Sequence, residues 1–224
     1  KGTIGFCRYC GQHDELFKAG RDKACLTGGG SFVNFHHSHE EGLMICADCT
    51  VKYFFLPFGL LQMGYMALLQ SITPEGKEYW LRKTVIENLD RIGKGTSEGL
   101  LKSEYKNPQN AIFGLAAELI RDIVDRKEIN EHLTLYYFTN FAGKVDCEIY
   151  TIPQPVFKFI SSTIKACPQE WYSFVRRHYR IGQSNWDEEK QLWTKKGEEL
   201  QESDYLNNRN DIYNSILEGK SVLS

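Results

Sequence analysis

Phe6-Cys7-Arg8-Tyr9-Cys10-Gly11 and Ile45-Cys46-Ala47-Asp48-Cys49 decide how this chain is organised. A Cys-x-x-Cys turn aims two sulfurs at one point. Two such turns brought together make the tetrahedral four-thiolate set that zinc prefers, with Zn–S bonds of about 2.3 Å. Gly11 stands directly after the first pair, where a tight turn often needs positive φ. The 35 residues between Cys10 and Cys46 exceed the spacing of an ordinary zinc ribbon, so the expected site closes an elaborated loop. Residues 1–52 therefore read as a four-cysteine zinc module with Cys7, Cys10, Cys46 and Cys49 as ligands and Zn2+ as a structural cofactor. The module is glycine-rich and too poor in apolar residues to fold without its ion.

Beyond the module, 42% hydrophobic residues and 13% aromatics in 224 positions supply one substantial core, or a core with a small satellite. A net charge of −2 excludes a chain that binds nucleic acid by general basic excess and leaves only a local patch. Seven cysteines, an odd number with two metal-type pairs, speak for thiols kept reduced in the cytoplasm rather than a disulfide framework. The stretch from Tyr53 to Ile72 carries no charge and is long enough to span a bilayer. Pro57, Gly59, Gln62, Gly64, Gln70 and Ser71 interrupt it, and no Lys/Arg cluster flanks it, so it reads as buried core and no membrane is expected. The chain starts at Lys1 rather than Met and reads as a fragment of a longer polypeptide.

The remaining pattern predicts an α+β fold, mainly helical, with a small antiparallel β element. Residues 53–224 are expected to form the helical domain, with a β-hairpin near 132–152. Helix is expected from Cys49 to Ile72 with a break near Pro57 and Gly59. A second begins at Thr73-Pro74 and runs to about Ile92, with Leu81, Val85, Leu89 and Ile92 on one apolar stripe. Asn107-Pro108 opens a third, with Ile112, Leu115, Leu119 and Ile123 at helical spacing. Leu133, Leu135 and Tyr137, and then Val145, Cys147 and Ile149, alternate as strands do. Helices follow from Pro155 to about Lys165 and from Pro168 to Arg180. A mixed-charge amphipathic stretch covers 185–200, and a last helix runs from about Tyr205 to Leu217, stopped by Gly219.

His36, His37 and His39 lie between the two thiol pairs, an arrangement similar to His-Asn-His nucleases. Such an enzyme needs a further Asn and His after the second pair. Here Thr50 follows Cys49 and the next histidine is His132, so the metal-plus-base set is incomplete. Arg176, Arg177 and Arg180 form a short basic run that can meet phosphates, or can be the wet, positive end of a helix. No Ser/His/Asp or paired-carboxylate set stands out, and no enzymatic activity is expected.

The order of features resembles the CXXC-CXXC family of CRISPR-associated proteins, the large subunit of the type I-B Cascade surveillance complex. The likeness rests on the two thiol pairs, on Leu56-Pro57-Phe58-Gly59, on Tyr137-Phe138-Thr139-Asn140 and on Ile149-Tyr150-Thr151-Ile152-Pro153. It implies a non-catalytic subunit that works with other Cascade subunits and guide RNA. Such a subunit helps recognise the motif flanking a double-stranded DNA target, and holds that target for a separate helicase-nuclease. Asn140 and Lys144, in the hairpin loop, are candidate nucleic-acid contacts beside Arg176, Arg177 and Arg180. A nuclease of the His-Asn-His type and an unrelated zinc-ribbon interaction protein are the alternatives.

Overall fold

The structure, a computed structural model, describes residues 2–19, 43–124, 130–139 and 146–222. It is α+β with antiparallel pairing, about 46% of the described residues being helical and 26% in strands, so "mainly helical" understates the strands. Three sheets account for the difference. β1 (Thr3–Phe6), β2 (His13–Ala19) and β3 (Leu43–Cys46) form a three-stranded antiparallel sheet in that order. α1 (Ala47–Phe55) follows, and a 3-10 turn over Leu56–Gly59 ends it at Pro57, as the sequence predicts.

The expected helix beyond Gly59 is instead β4 (Leu61–Met63) and β5 (Tyr65–Ser71). Gly64, at φ +82°, turns the chain so that Leu61 faces Ala67 and Met63 faces Tyr65. Leu61, Met63 and Ala67 are buried while Gln62 is exposed, the period of two that a half-buried strand shows. Tyr137 donates its hydroxyl proton to the Met63 carbonyl at 3.1 Å, which fixes the turn from its flank.

A continuous helical run then carries α2 (Pro74–Leu81), a π-type turn (Arg82–Ile86) and α3 (Glu87–Gly93). Its start at Pro74 and stop at Gly93 match the sequence, but its buried face does not. Trp80, Thr84 and Asn88 are buried, whereas Leu81, Leu89 and Ile92 are half or more exposed. The reason is a hydrogen-bond requirement. The Asn88 amide donates to the Phe58 carbonyl at 3.0 Å, an acceptor of the 3-10 turn, and to Thr84 O at 2.8 Å.

After β6 (Leu101–Lys102), α4 (Pro108–Leu119) begins as predicted. Asn107 Oδ1 accepts from the N–H groups of Gln109 and Asn110, with Pro108 in the first turn. A π-type turn (Ile120–Val124) continues it. β7 (Leu133–Phe138) and β8 (Cys147–Ile152) stand where the alternation puts them. The second sheet has the order β6-β4-β5-β7-β8. α5 (Gln154–Ala166) and α6 (Pro168–Arg177) follow, each with proline in its first turn. The stretch 185–200 is a third small sheet of β9 (Asn185–Asp187), β10 (Leu192–Lys195) and β11 (Glu198–Glu199) in the order β11-β10-β9. The last expected helix is two: α7 (Glu202–Asn207) and α8 (Asp211–Leu217). Asn210 caps α8 by accepting from the N–H groups of Ile212 and Tyr213, and that cap separates them.

The chain divides into two compact units. One comprises Lys1–Leu68, Leu81–Leu101 and Tyr137–Glu148, the other Leu69–Trp80, Lys102–Tyr136 and Ile149–Ser224. Within the second, Glu131 is fully buried and its carboxylate accepts five hydrogen bonds. The donors are Ser71 Oγ (2.6 Å), the N–H groups of Ile72 (2.9 Å), Thr73 (3.3 Å) and His132 (2.9 Å), and Thr73 Oγ1. It thereby ties the end of β5 to the start of α2. A Cβ on Gly76 would collide with Ser71 Oγ and Glu131 Oε2, so only glycine fits there. Glu131→Gln removes the charge shared by three backbone N–H groups and two hydroxyls, and its amide N–H2 is satisfied only if the Ser71 and Thr73 hydroxyls turn to accept. It is expected to cost about 3 kcal/mol in urea denaturation monitored by circular dichroism. A change within about 0.5 kcal/mol, the range of an ordinary surface substitution, would mean the carboxylate does not brace this junction.

Candidate metal centre

The first sheet brings the two thiol pairs to one end. β2 pairs with β1 on one side, Phe6 facing His13, and with β3 on the other, Leu16 facing Cys46. The chain leaving β1 and the chain leaving β3 therefore emerge together. Beyond β1, the Cys7 N–H donates to Gln12 O and the Gly11 N–H to Cys7 O, both at 2.8 Å, with Gly11 at φ +75°. This closed turn holds Cys7 and Cys10, and Gly11 supplies the left-handed residue that the sequence assigns to it. Arg8 N–H donates to Met44 O at 3.0 Å and pins the turn to β3. Cys46 is the last residue of β3 and the N-cap of α1, and Cys49 lies in the first turn of α1.

The four Sγ atoms all lie within 4.8 Å of one another. Cys10 Sγ and Cys46 Sγ are 3.9 Å apart. Four sulfurs around an ion at about 2.3 Å are separated by roughly 3.8 Å, so the set fits a tetrahedral metal with small inward shifts. All four are free thiols, none disulfide-bonded. Cys7, Cys46 and Cys49 are buried and Cys10 is exposed. Among the described residues this is the one group of His, Cys, Asp or Glu side chains placed to hold a metal ion.

The surroundings favour thiolates. Tyr9 N–H and Cys46 N–H donate to Cys7 Sγ at 3.4 and 3.3 Å. Burial opposes ionisation of Cys7, but backbone hydrogen bonds at Cys10, Cys46 and Tyr9 outweigh it and bring the thiol down to about 6. Burial, then hydrogen bonds with the neighbouring thiols, push Cys49 up to about 12. Cys46 is also raised: a backbone hydrogen bond at Cys49 favours its thiolate, but burial and the other sulfurs prevail. Without a metal, the Cys7 sulfur therefore ionises easily while Cys46 and Cys49 resist. A divalent cation relieves that repulsion, and the α1 N-terminus adds a favourable partial charge.

The remaining sequence-predicted residues do not gather here. Arg176 pairs with Glu202 (3.0 Å), Arg177 with Glu188 (2.6 Å) and Arg180 with Asp211 (2.7 Å), all in the second unit. His36, His37, His39, Asn140 and Lys144 lie outside the described residues. No signal in the sequence marks Glu131, a single acid amid ordinary charges, as a buried carboxylate that accepts five hydrogen bonds. Among the described residues no helix is long and apolar enough to cross a membrane, and the Tyr53–Ile72 stretch is broken into α1, the 3-10 turn, β4 and β5. Comparison with protein-family models, with curated proteins and with solved structures gives no match.

Metal affinity should be strongly pH-dependent, because bound thiols must be unprotonated. Cys46 and Cys49 hold their protons at neutral pH, so binding releases at least two, and affinity falls as pH falls. The expected slope is at least about a hundredfold per pH unit between pH 8 and 6.5, steepening once Cys7 protonates near 6. Competition with a chromophoric chelator measures it; an affinity that is flat with pH would mean the sulfurs are not the ligands.

Proposed function

We propose that this chain is a non-catalytic, zinc-stapled part of the large subunit of an RNA-guided type I CRISPR interference complex. The observation that carries the reading is the Cys7/Cys10/Cys46/Cys49 cluster, the most specific element of the motif order on which the resemblance rests. A four-sulfur donor set suits zinc or a single iron. With no oxygen or nitrogen ligand and no open coordination position, such a centre holds a fold together rather than activating water. In this reading the ion fixes the module, and the rest of the subunit works with the other Cascade subunits and guide RNA. Together they recognise the motif flanking a double-stranded DNA target and offer the opened DNA to a separate helicase-nuclease.

Asn140 and Lys144 are the loop contacts the reading assigns to DNA. Arg176, Arg177 and Arg180 are candidate phosphate contacts, and each would exchange its carboxylate for a phosphate. Their side chains are 38%, 54% and 66% exposed, and ion pairs this wet are weak enough to be exchanged.

The test is co-expression of the chain with the other subunits and guide RNA. Expected are one zinc per chain by elemental analysis, co-purification with the RNA-loaded complex, and no cutting of labelled duplex by the chain alone in Mg2+ or Mn2+. Cys46→Ser should lose the ion, at a cost on the order of 10 kcal/mol in coupled binding and folding. Duplex nicking abolished by His36→Ala would replace this reading with the nuclease. Stable behaviour with no affinity for the loaded complex would replace it with a free-standing zinc-ribbon protein.

A further inference from the structure

The second unit contains a cavity of about 770 Å3, within the size range of small-ligand sites, between α4, α6, α7 and α8. Its floor is aromatic. Phe113 stacks on Tyr213 with ring centres 4.1 Å apart and planes 5° from parallel. Tyr105 lies against Gly114, where any Cβ would overlap its ring, so α4 is shaped to receive that phenol. Around this floor the hydroxyls of Tyr105, Tyr172, Tyr179 and Tyr213 form no hydrogen bond among the described residues.

Asn110 also lines the cavity, and it is 1% exposed. Its Nδ2 donates to the carbonyls of Tyr205, Leu206 and Asn208, at 3.3, 3.0 and 2.7 Å. These bonds fix the amide and leave Oδ1 buried without a partner. An orphan buried acceptor costs free energy and is rare, so a donor belongs there.

The charge of the lining sets the sign of that donor. Glu104, Glu118 and Glu202 stand at the cavity with Arg121 and Arg176, three carboxylates against two guanidinium groups; Arg121 pairs with Asp122 outside the lining and Arg176 with Glu202. Burial, then the carboxylates of Glu118, Glu104 and Glu202, push the Tyr105 phenol up to about 12, so it stays protonated and uncharged. The chain also shows how one cation seats among these groups. The Arg176 guanidinium lies 4.4 Å from the centre of the Tyr205 ring, and its Nη2 donates to Glu202 at 3.0 Å.

We propose that this cavity binds a guanidinium group, from an arginine side chain of another polypeptide or from a free alkylguanidine. A flat, weakly hydrated cation with five donors matches aromatic faces, carboxylates, phenol oxygens and one orphan carbonyl together. An ammonium is compact and more strongly hydrated, and an anion would meet carboxylates. The site does not depend on the metal or on any nucleic acid.

Calorimetric titration of the whole chain with N-acetyl-argininamide tests it, against N-acetyl-citrullinamide, which keeps the shape and replaces the guanidinium with a neutral urea. Saturable binding at least about tenfold tighter for the arginine probe is expected. Glu118→Gln should weaken it by about tenfold, and Ala117→Phe, which fills the cavity, should abolish it, with unfolding midpoints confirming that both variants fold. Agmatine binding as tightly as a capped Gly-Arg-Gly peptide assigns the site to a free guanidine; a clear preference for the peptide assigns it to a polypeptide arginine. Equal binding of the arginine and citrulline probes, or no saturable binding of either to the unaltered chain, overturns the proposal.

Discussion

Four sulfurs meeting at one point are the constraint on which the first sheet depends. Among the described residues the buried cluster there is Cys7, Leu16, Ala19, Ile45, Cys46 and Cys49, so half of these are thiols. Leucine and isoleucine contribute about 2–3 kcal/mol each when buried. Closing the excursion from Cys10 to Cys46 costs about 4 kcal/mol of chain entropy, by the same reckoning used for disulfide loops. Among the described residues Leu16, Ala19 and Ile45, with Leu43 and Met44 partly buried against them, offset that cost. A divalent cation changes the balance, because it converts repulsion among buried sulfurs into the strongest local attraction. The strand pairing places the four sulfurs close enough to hold a metal ion.

The parts of the fold legible in the sequence are those set by local chemistry. Asn107-Pro108 starts a helix because one side chain can satisfy two amide groups, and Gly93 ends one. Gly11 and the two thiol pairs are readable for the same reason: each motif carries its geometry within a few residues. The hairpin at Gly64 is not, because Leu61-Gln-Met-Gly-Tyr-Met-Ala-Leu-Leu suits either a helix or two short strands, and what decides it is a partner distant in sequence. Tyr137 supplies that partner to Met63 across 74 positions. The last helix reads as one because its apolar spacing ignores Asn210, whose cap requires a break.

Polar groups, not apolar ones, explain the largest departures. Periodicity assigns Leu81, Val85, Leu89 and Ile92 to the core, yet Thr84 and Asn88 occupy it. A buried carbonyl without a donor is expensive, and Asn88 removes that expense at Phe58. Glu131 does the equivalent for the exposed amide ends near Thr73, and Asn110 for three carbonyls behind α7. Hydropathy patterns weigh side chains against water and carry no record of which backbone groups need satisfying. The basic run at Arg176–Arg180 follows the same lesson: its charge is visible, but the carboxylates of Glu188, Glu202 and Asp211 that meet it come from other elements.

The π-type turn at Arg82–Ile86 has a consequence for how this chain can change over generations. In a regular α-helix, positions four apart drift about 40° around the axis. The wider turn reduces that drift, and Thr84 within it and Asn88 just after it are both buried. Point substitutions at exposed positions along this helix, such as Arg82 and Ile86, are therefore cheap, while those at Trp80, Thr84 and Asn88 are not and the number of residues in the turn is fixed. Losing one codon there would swing everything after it by about 100°, carrying Asn88 away from Phe58 in a single step. Lineages of this sequence should thus vary in letters at Arg82 and Ile86, keep a small residue at Thr84, and vary hardly at all in length.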